Sequence, residues 1–169
     1  QAGLVVASLG VSAFAHAQAT APAAYPSKPI RLLVGFAPGG GTDSAARTIA
    51  VKLSELVGQT VVVDNRPGAG GNIAADAVAN ATPDGYTIGL ANIGSLAVNP
   101  HMPDGTPYKT LKDFAMITNG VTFGNILVVR TDSNIKTLAD YIAAAKNTNK
   151  PLFYGSPGLG SAGHLAGEL

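Results

Sequence analysis

Ile30-Arg31-Leu32-Leu33-Val34-Gly35-Phe36, then Ala37-Pro38-Gly39-Gly40-Gly41, then the run from Thr42 to Gly58 decide the fold of this chain. The first piece is a nearly continuous apolar run of strand length, as expected of a strand covered on both faces. The second is a Gly/Pro turn. The third starts a helix at Thr42 or Asp43, with Ala45, Ala46, Ile49, Ala50, Leu53, Leu56 and Val57 on one stripe and Gly58 at the stop position. Strand, glycine loop and helix in this order form the unit from which open parallel sheets are built.

The same unit recurs downstream. Thr60–Asp64 reads as a second strand, residues 65–72 (NRPGAGGN) as a loop and Ile73–Ala79 as a short helix; Pro83-Asp84-Gly85 then turns the chain into a third strand, Tyr86–Ala91. A parallel, doubly wound α/β sheet accommodates this alternation. From Phe114 the alternation loosens. Phe114–Thr118 and Asn125–Arg130 read as strands joined without a helix, Leu138–Lys146 as a helix capped by Thr137 and Asp140, and Leu152–Tyr154 as a short strand. A third Gly-rich loop, Gly155–Gly163, leads into a helix from His164 that is one turn old at Leu169, so further chain is expected downstream.

Three loops, Ala37–Asp43, Asn65–Asn72 and Gly155–Gly163, therefore each follow a strand and open a helix. In a parallel sheet they share the carboxyl edge, where open α/β folds bind ligands. The first N–H groups of each helix lack intrahelical partners and sit at the positive end of its dipole, which favours an anion. Apart from Arg66 these loops carry no Lys or Arg. The expected ligand is small, singly or doubly charged, and held by backbone amides and hydroxyls.

Composition agrees. The 169 residues are 46% hydrophobic and 12% charged, with a formal net charge of +1, so no basic footprint for nucleic acid exists. There is no Cys, which removes disulfides, thiolate metal sites and a Cys nucleophile. No cluster of His, Asp and Glu has metal-ligand spacing, and no cofactor is expected. The phosphate-loop pattern fails for want of a lysine, and the dinucleotide fingerprint fails because Ser44 stands where its third glycine belongs. Asp64 ends the second strand where a ribose-binding carboxylate would sit, but without that fingerprint. Asp43 reads as a helix N-cap, or alternatively as a polar contact to ligand.

Enzymatic alternatives are thin. No Ser lies in a GxSxG elbow. Ser161 and His164 stand one helical turn apart, which leaves a small α/β hydrolase or transferase as the alternative; an isolated pair with no orienting carboxylate is more often structural. His101 reads as a surface loop residue.

Residues 1–24 contain no Asp, Glu, Lys or Arg, and their apolar run ends in Ala15-His16-Ala17 and Ala17-Gln18-Ala19, each fitting a small-x-small cleavage pattern. A secretory signal peptide, incomplete at its start, is expected there in preference to an Ala-rich helix of the domain.

Four further motifs carry a family resemblance. Tyr25-Pro26-x-Lys28-Pro29-Ile30-Arg31 leading to Phe36-x-Pro38-Gly39-Gly40-Gly41-x-Asp43, then Val62-Val63-x-Asn65-Arg66-Pro67-Gly68-Ala69-Gly70-Gly71-Asn72, then Ala81-x-Pro83-Asp84-Gly85-Tyr86-Thr87, and finally residues 155–166 (GSPGLGSAGHLA) together resemble the Bug family. These are periplasmic solute receptors of tripartite tricarboxylate transporters. The resemblance runs from Tyr25 to Leu169 and implies a periplasmic-binding-protein-like (type II) α/β fold, a two-lobed Venus flytrap about twice as long as the span seen here.

It further implies lobe 1 over residues 25–122 and the start of lobe 2 over 123–169, with the first crossing at Asn119–Asn125. The protein would be no enzyme but a periplasmic receptor that hands a small carboxylate (a di- or tricarboxylate, amino acid or aromatic acid) to membrane transporter subunits. Its ligand residues would be Phe36, Pro38, Gly40, Gly41, Thr42 and Asp43 from the first loop, Ser95, and Gly158, Gly160, Ser161 and His164 from the third, with waters bridging to main chain. Asn92-Ile93-Gly94-Ser95 departs from the Ser/Thr-rich stretch of the family after the third strand.

Overall fold

The structure is a computed structural model that describes residues 24–122, 124–147 and 149–169; the expected leader lies outside them except for Ala24. β1 (Ile30–Val34) occupies the centre of a three-stranded sheet of order β2-β1-β3, with β2 (Val61–Asn65) and β3 (Thr87–Leu90) both parallel to it. Register runs from Ile30 opposite Val61 to Val34 opposite Asn65, and from Arg31 opposite Thr87 to Val34 opposite Leu90.

Alternation along β1 sorts its side chains. Ile30, Leu32 and Val34 pack with Ala46 and Ala50 of α1 (Gly41–Val57) and with Val61, while Leu53, Val57, Val63 and Ile88 close the edges of this core. Small residues at 46 and 50 let α1 approach the sheet. Leu33 faces the opposite way, toward Ala74, Ala75 and Val78 of α2 (Asn72–Ala79), so helices cover both faces. This is the doubly wound arrangement expected, with element ends shifted by one or two residues. At the end of α1, Gly58 takes a left-handed φ of 70° and donates to Ser54 O at 3.0 Å; the Ser54 hydroxyl then accepts Val61 N–H at 2.8 Å and delivers the chain into β2.

Beyond β3 the chain departs from expectation. Residues 94–98 form a π-helical turn, Asn99–His101 a 3₁₀ turn and Thr110–Asp113 a one-turn helix, α3. None of these was legible as periodicity. Phe114–Thr118, Asn125–Arg130 and Leu152–Tyr154, expected as strands, are not strands. Most of their side chains lie open, with Ile126 84% and Phe153 93% exposed, while Phe114 is half-buried against Tyr108. A strand exists only where a neighbour accepts and donates its backbone hydrogen bonds, and among the described residues none runs beside these segments.

The helix expected from Leu138 is present as α4 (Leu138–Ala145), with Thr137 and Asp140 forming the reciprocal capping box. α5 (Ala162–Glu168) follows the third loop. His101 is exposed, as expected.

The core predicts a direct stability effect. Leu32→Ala leaves a cavity between β1 and α1, and urea unfolding should show a loss of about 2–5 kcal/mol.

Candidate functional site

The loop between β1 and α1 is the most open of the three. Pro38, Gly39, Gly40 and Gly41 are exposed, Phe36 and Thr42 are half-buried and Asp43 is buried. Gly40, in extended conformation (φ −80°, ψ 171°), is the N-cap of α1, and no side chain caps this end. The N–H groups of Gly41, Thr42 and Asp43 precede the first intrahelical bond, Ser44 N–H to Gly40 O at 2.9 Å. A Cβ placed on Gly41 would meet nothing within 4 Å, so space is open beside the first residue of the helix, while Thr42 is half-buried and Asp43 buried.

Asp43 is therefore not the N-cap that its position suggested. Two residues into the helix, its carboxylate turns back and accepts from Gly39 N–H at 2.9 Å, Arg47 Nε at 3.0 Å and Asn65 Nδ2 at 2.9 Å. Arg47 adds a second contact at 2.9 Å. The Arg47 guanidinium, the Gly39 amide and the Asn65 amide, in that order of weight, hold Asp43 well below the usual carboxylate range. Its charge is spent inside the loop. Asp64 is likewise committed, to Arg31 at 2.6 Å and Arg66 at 3.4 Å, which leaves no ribose-binding carboxylate at the end of β2.

The other two loops pack on each other. A Cβ on Gly70 would collide with Leu159 O, one on Gly94 with Gly160 O, and one on Gly160 with the Asn99 side chain. These glycines admit backbone to backbone at distances that any side chain would prevent. In the third loop Gly158 lies against Gly70 and Gly160 against the Asn99 side chain.

Beneath the contact is a polar knot. Asn99 Nδ2 donates to Asn72 Oδ1 at 2.8 Å, and the Tyr108 hydroxyl donates to Ser95 O at 2.7 Å and lies 3.1 Å from Asn72 Oδ1. Asn92 Nδ2 donates to Gly70 O at 3.2 Å. Burial, with a smaller contribution from Asp76, pushes the Tyr108 phenol up to about 12. Ser95 is fully buried, its hydroxyl donating to Asn92 O at 3.2 Å and its N–H to Asn92 Oδ1 at 3.0 Å. Asn72, Asn92, Asn99 and Tyr108 were not picked out from the sequence; asparagines bordering glycine loops were the only local sign.

Ser161 and His164 do not form a catalytic pair. The Ser161 hydroxyl, on a residue 2% exposed, accepts the backbone N–H of His164 at 3.2 Å and caps α5. The His164 ring accepts Gly160 N–H through Nδ1 at 3.4 Å, and its Nε2 lies 3.9 Å from Glu168. Serine and imidazole each serve the backbone of their own loop.

Thr42, Gly71, Asn92, Ser95 and Ala162 line one end of a cleft of about 660 Å³, whose body is apolar and includes Leu33, Leu90, Phe114 and Met116. The starts of α1, α2 and α5 thus meet at one cavity; the parallel sheet places the first two, and α5 follows no strand of it. Of the expected ligand residues Thr42 and Ser95 line it, whereas Phe36, Pro38, Gly40, Gly41, Asp43, Gly158, Gly160, Ser161 and His164 do not. Among the described residues no group of three His, Asp or Glu could hold a metal, and no helix is long and apolar enough to cross a membrane.

Comparison with known proteins decides the family. Residues 45–169 match the model of the tripartite tricarboxylate transporter family receptor. The chain belongs to that family. A relative described as the UPF0065 protein in the tcbD-tcbE intergenic region, from Pseudomonas sp. strain P51, is 42% identical over 146 residues, which is 86% of this chain and 43% of the relative. The solved periplasmic binding protein BugD is 33% identical, with a TM-score of 0.73 over 85% of this chain and 48% of BugD. Rpa4515 of R. palustris, solved with adipate, is 35% identical, with a TM-score of 0.69 over the same shares of the two chains. The present chain thus spans a little under half the length of these members of the tricarboxylate receptor family. The fold expected from the sequence is the fold of these periplasmic binding proteins, and the family is one of receptors, not enzymes.

Two outcomes follow for the site. Asp43 has a folded-state pKa below its unfolded value, so its bonds stabilise the protein above the unfolded carboxylate pKa of about 4, and that contribution is lost as pH falls from there toward the folded value. Asp43→Asn should therefore melt below the wild type at pH 7, and the gap should close as pH is lowered below about 4. Gly160→Ala forces a methyl group into Asn99; overpacking of this kind costs about 1–3 kcal/mol. Thermal unfolding should register it, together with shifted amide resonances from Ser161 to His164.

Proposed function

We propose that this chain forms the ligand-gripping part of a periplasmic receptor for a small carboxylate, which it delivers to the membrane subunits of a tripartite tricarboxylate transporter. The observation that carries the reading is the N-terminus of α1, which no side chain caps, where the N–H groups of Gly41, Thr42 and Asp43 have no intrahelical partner and space is open beside Gly39 and Gly41. Such an end attracts an anion through free donors and dipole together. The nearby cation, Arg47, is already paired with Asp43, so backbone donors are what remain for a ligand.

A ligand held this way carries one or two carboxylates, not a polyphosphate. The adipate in the related Rpa4515 is a dicarboxylate and supports that class. Phe36, Pro38, Gly40, Gly41 and Thr42 would surround one carboxylate, with Asp43 bracing the loop and Ser95, Gly158, Gly160, Ser161 and His164 on the facing side. Lobe 1 would cover residues 25–122 and lobe 2 would begin at 123, after removal of a leader over 1–24. Closing two lobes about a hinge needs no catalytic group.

Calorimetry of the full-length mature receptor against adipate, other di- and tricarboxylates and aromatic acids tests this. Binding of at least one carboxylate is expected. Gly40→Val, whose Cβ meets Ala37 O at an ordinary contact distance of 3.8 Å and at an ordinary φ, should weaken it about 10- to 100-fold, the cost of losing one charge-assisted hydrogen bond of roughly 1.5–3 kcal/mol, with an unchanged melting temperature. Unaltered affinity in that variant would remove the α1 loop from the site.

A further inference from the structure

Asn65, the last residue of β2, is the neighbour in register of Val34 and stands beside the loop that leaves β1. Its side-chain nitrogen donates to Phe36 O at 3.0 Å, where the loop begins, and to Asp43 Oδ1 at 2.9 Å, where α1 has begun. Its oxygen accepts from Arg47 Nη2 at 3.2 Å. Asp43 carries the connection on to Gly39 N–H in the middle of the loop. One side chain on a neighbouring strand therefore joins both limbs of the loop.

We infer that Asn65 is the positioning residue of the α1 amide site, holding its N–H groups in their binding arrangement without touching the ligand. Three consecutive glycines, Gly39 to Gly41, lose more backbone freedom on ordering than three residues of any other type. If that ordering were left to the binding step, affinity would fall by its cost; a loop ordered beforehand avoids the loss. Residue 65 must also be an amide. Two acceptors, Phe36 O and Asp43 Oδ1, and one donor, Arg47, converge on it, and only a carboxamide offers two N–H groups and an oxygen. An aspartate of the same shape would face Asp43 carboxylate to carboxylate.

The inference rests on the carboxylate reading above, and its test separates the two. The charged groups around residue 65 are Asp43 and Arg47 on α1 and, beside it on its own strand, Asp64 with Arg31 and Arg66. In Asn65→Asp at pH 8, adipate affinity should be at least tenfold below wild type, and the amides of residues 37–43 should lose hydrogen-exchange protection in the ligand-free protein. Between pH 8 and 5 the ratio of variant to wild-type affinity should recover, as one of the two facing carboxylates takes up a proton and donates it to the other; taking the ratio cancels titration of adipate itself.

A general folding defect would not recover in this way. The swap Asn65→Asp with Asp43→Asn restores donor against acceptor and should regain part of the lost protection at pH 8. Wild-type protection and affinity in Asn65→Asp, or a loss that neither acid nor the swap relieves, would overturn the role of Asn65. Loss and recovery of loop protection in a protein whose wild type binds no carboxylate would uphold the bracket and sink the ligand reading instead.

Discussion

Everything in this molecule depends on β1 being buried on both faces and paired on both edges. Because β2 and β3 both run parallel to it, each strand must hand its chain to a crossover before the next can start, and every crossover leaves from the same edge. Helix beginnings, with their unpaired amides, accumulate there. The site is in this sense a by-product of topology, refined by the choice of glycine over bulkier residues where α1 starts.

Electrostatic economy follows from the same arrangement. The charges near the carboxyl edge are matched locally, Asp43 with Arg47 and Asp64 with Arg31 and Arg66. At the opposite end Lys28 lies 4.3 Å from the Tyr86 ring centre and 3.5 Å from Asp84. With side-chain charge cancelled, what persists at the helix start is the field of aligned peptide groups, which falls off within a turn. Selection by such a field is short-ranged: it favours one anionic group at one place and leaves the rest of a ligand to shape.

How far the sequence disclosed this can be judged element by element. β1, α1 and the Gly58 stop were legible because strand burial, stripe and cap coincide in one continuous stretch. Thr137 and Asp140 were legible because a capping box is local chemistry. Residues 114–118 and 125–130 misled, since apolar content says that a segment would suit a sheet but not that a neighbour is present to pair with it. The site was half visible. Loop positions follow from alternation, whereas the bonds of Asn65 to Phe36 and Asp43, 29 and 22 residues away, and of Asn99 to Asn72 depend on register and on an irregular π-helical turn, neither of which leaves a periodic trace.

Glycine meeting backbone across the second and third loops has a consequence for chimeras. Gly70 meets Leu159 O, Gly94 meets Gly160 O and Gly160 meets the Asn99 side chain, each at a distance that a Cβ on the glycine would close. Transplanting the third loop alone into a relative with a larger residue opposite would leave it unseated, however faithful its own sequence. A stable hybrid should therefore carry both contacting segments, inherited together as a hand is with its glove.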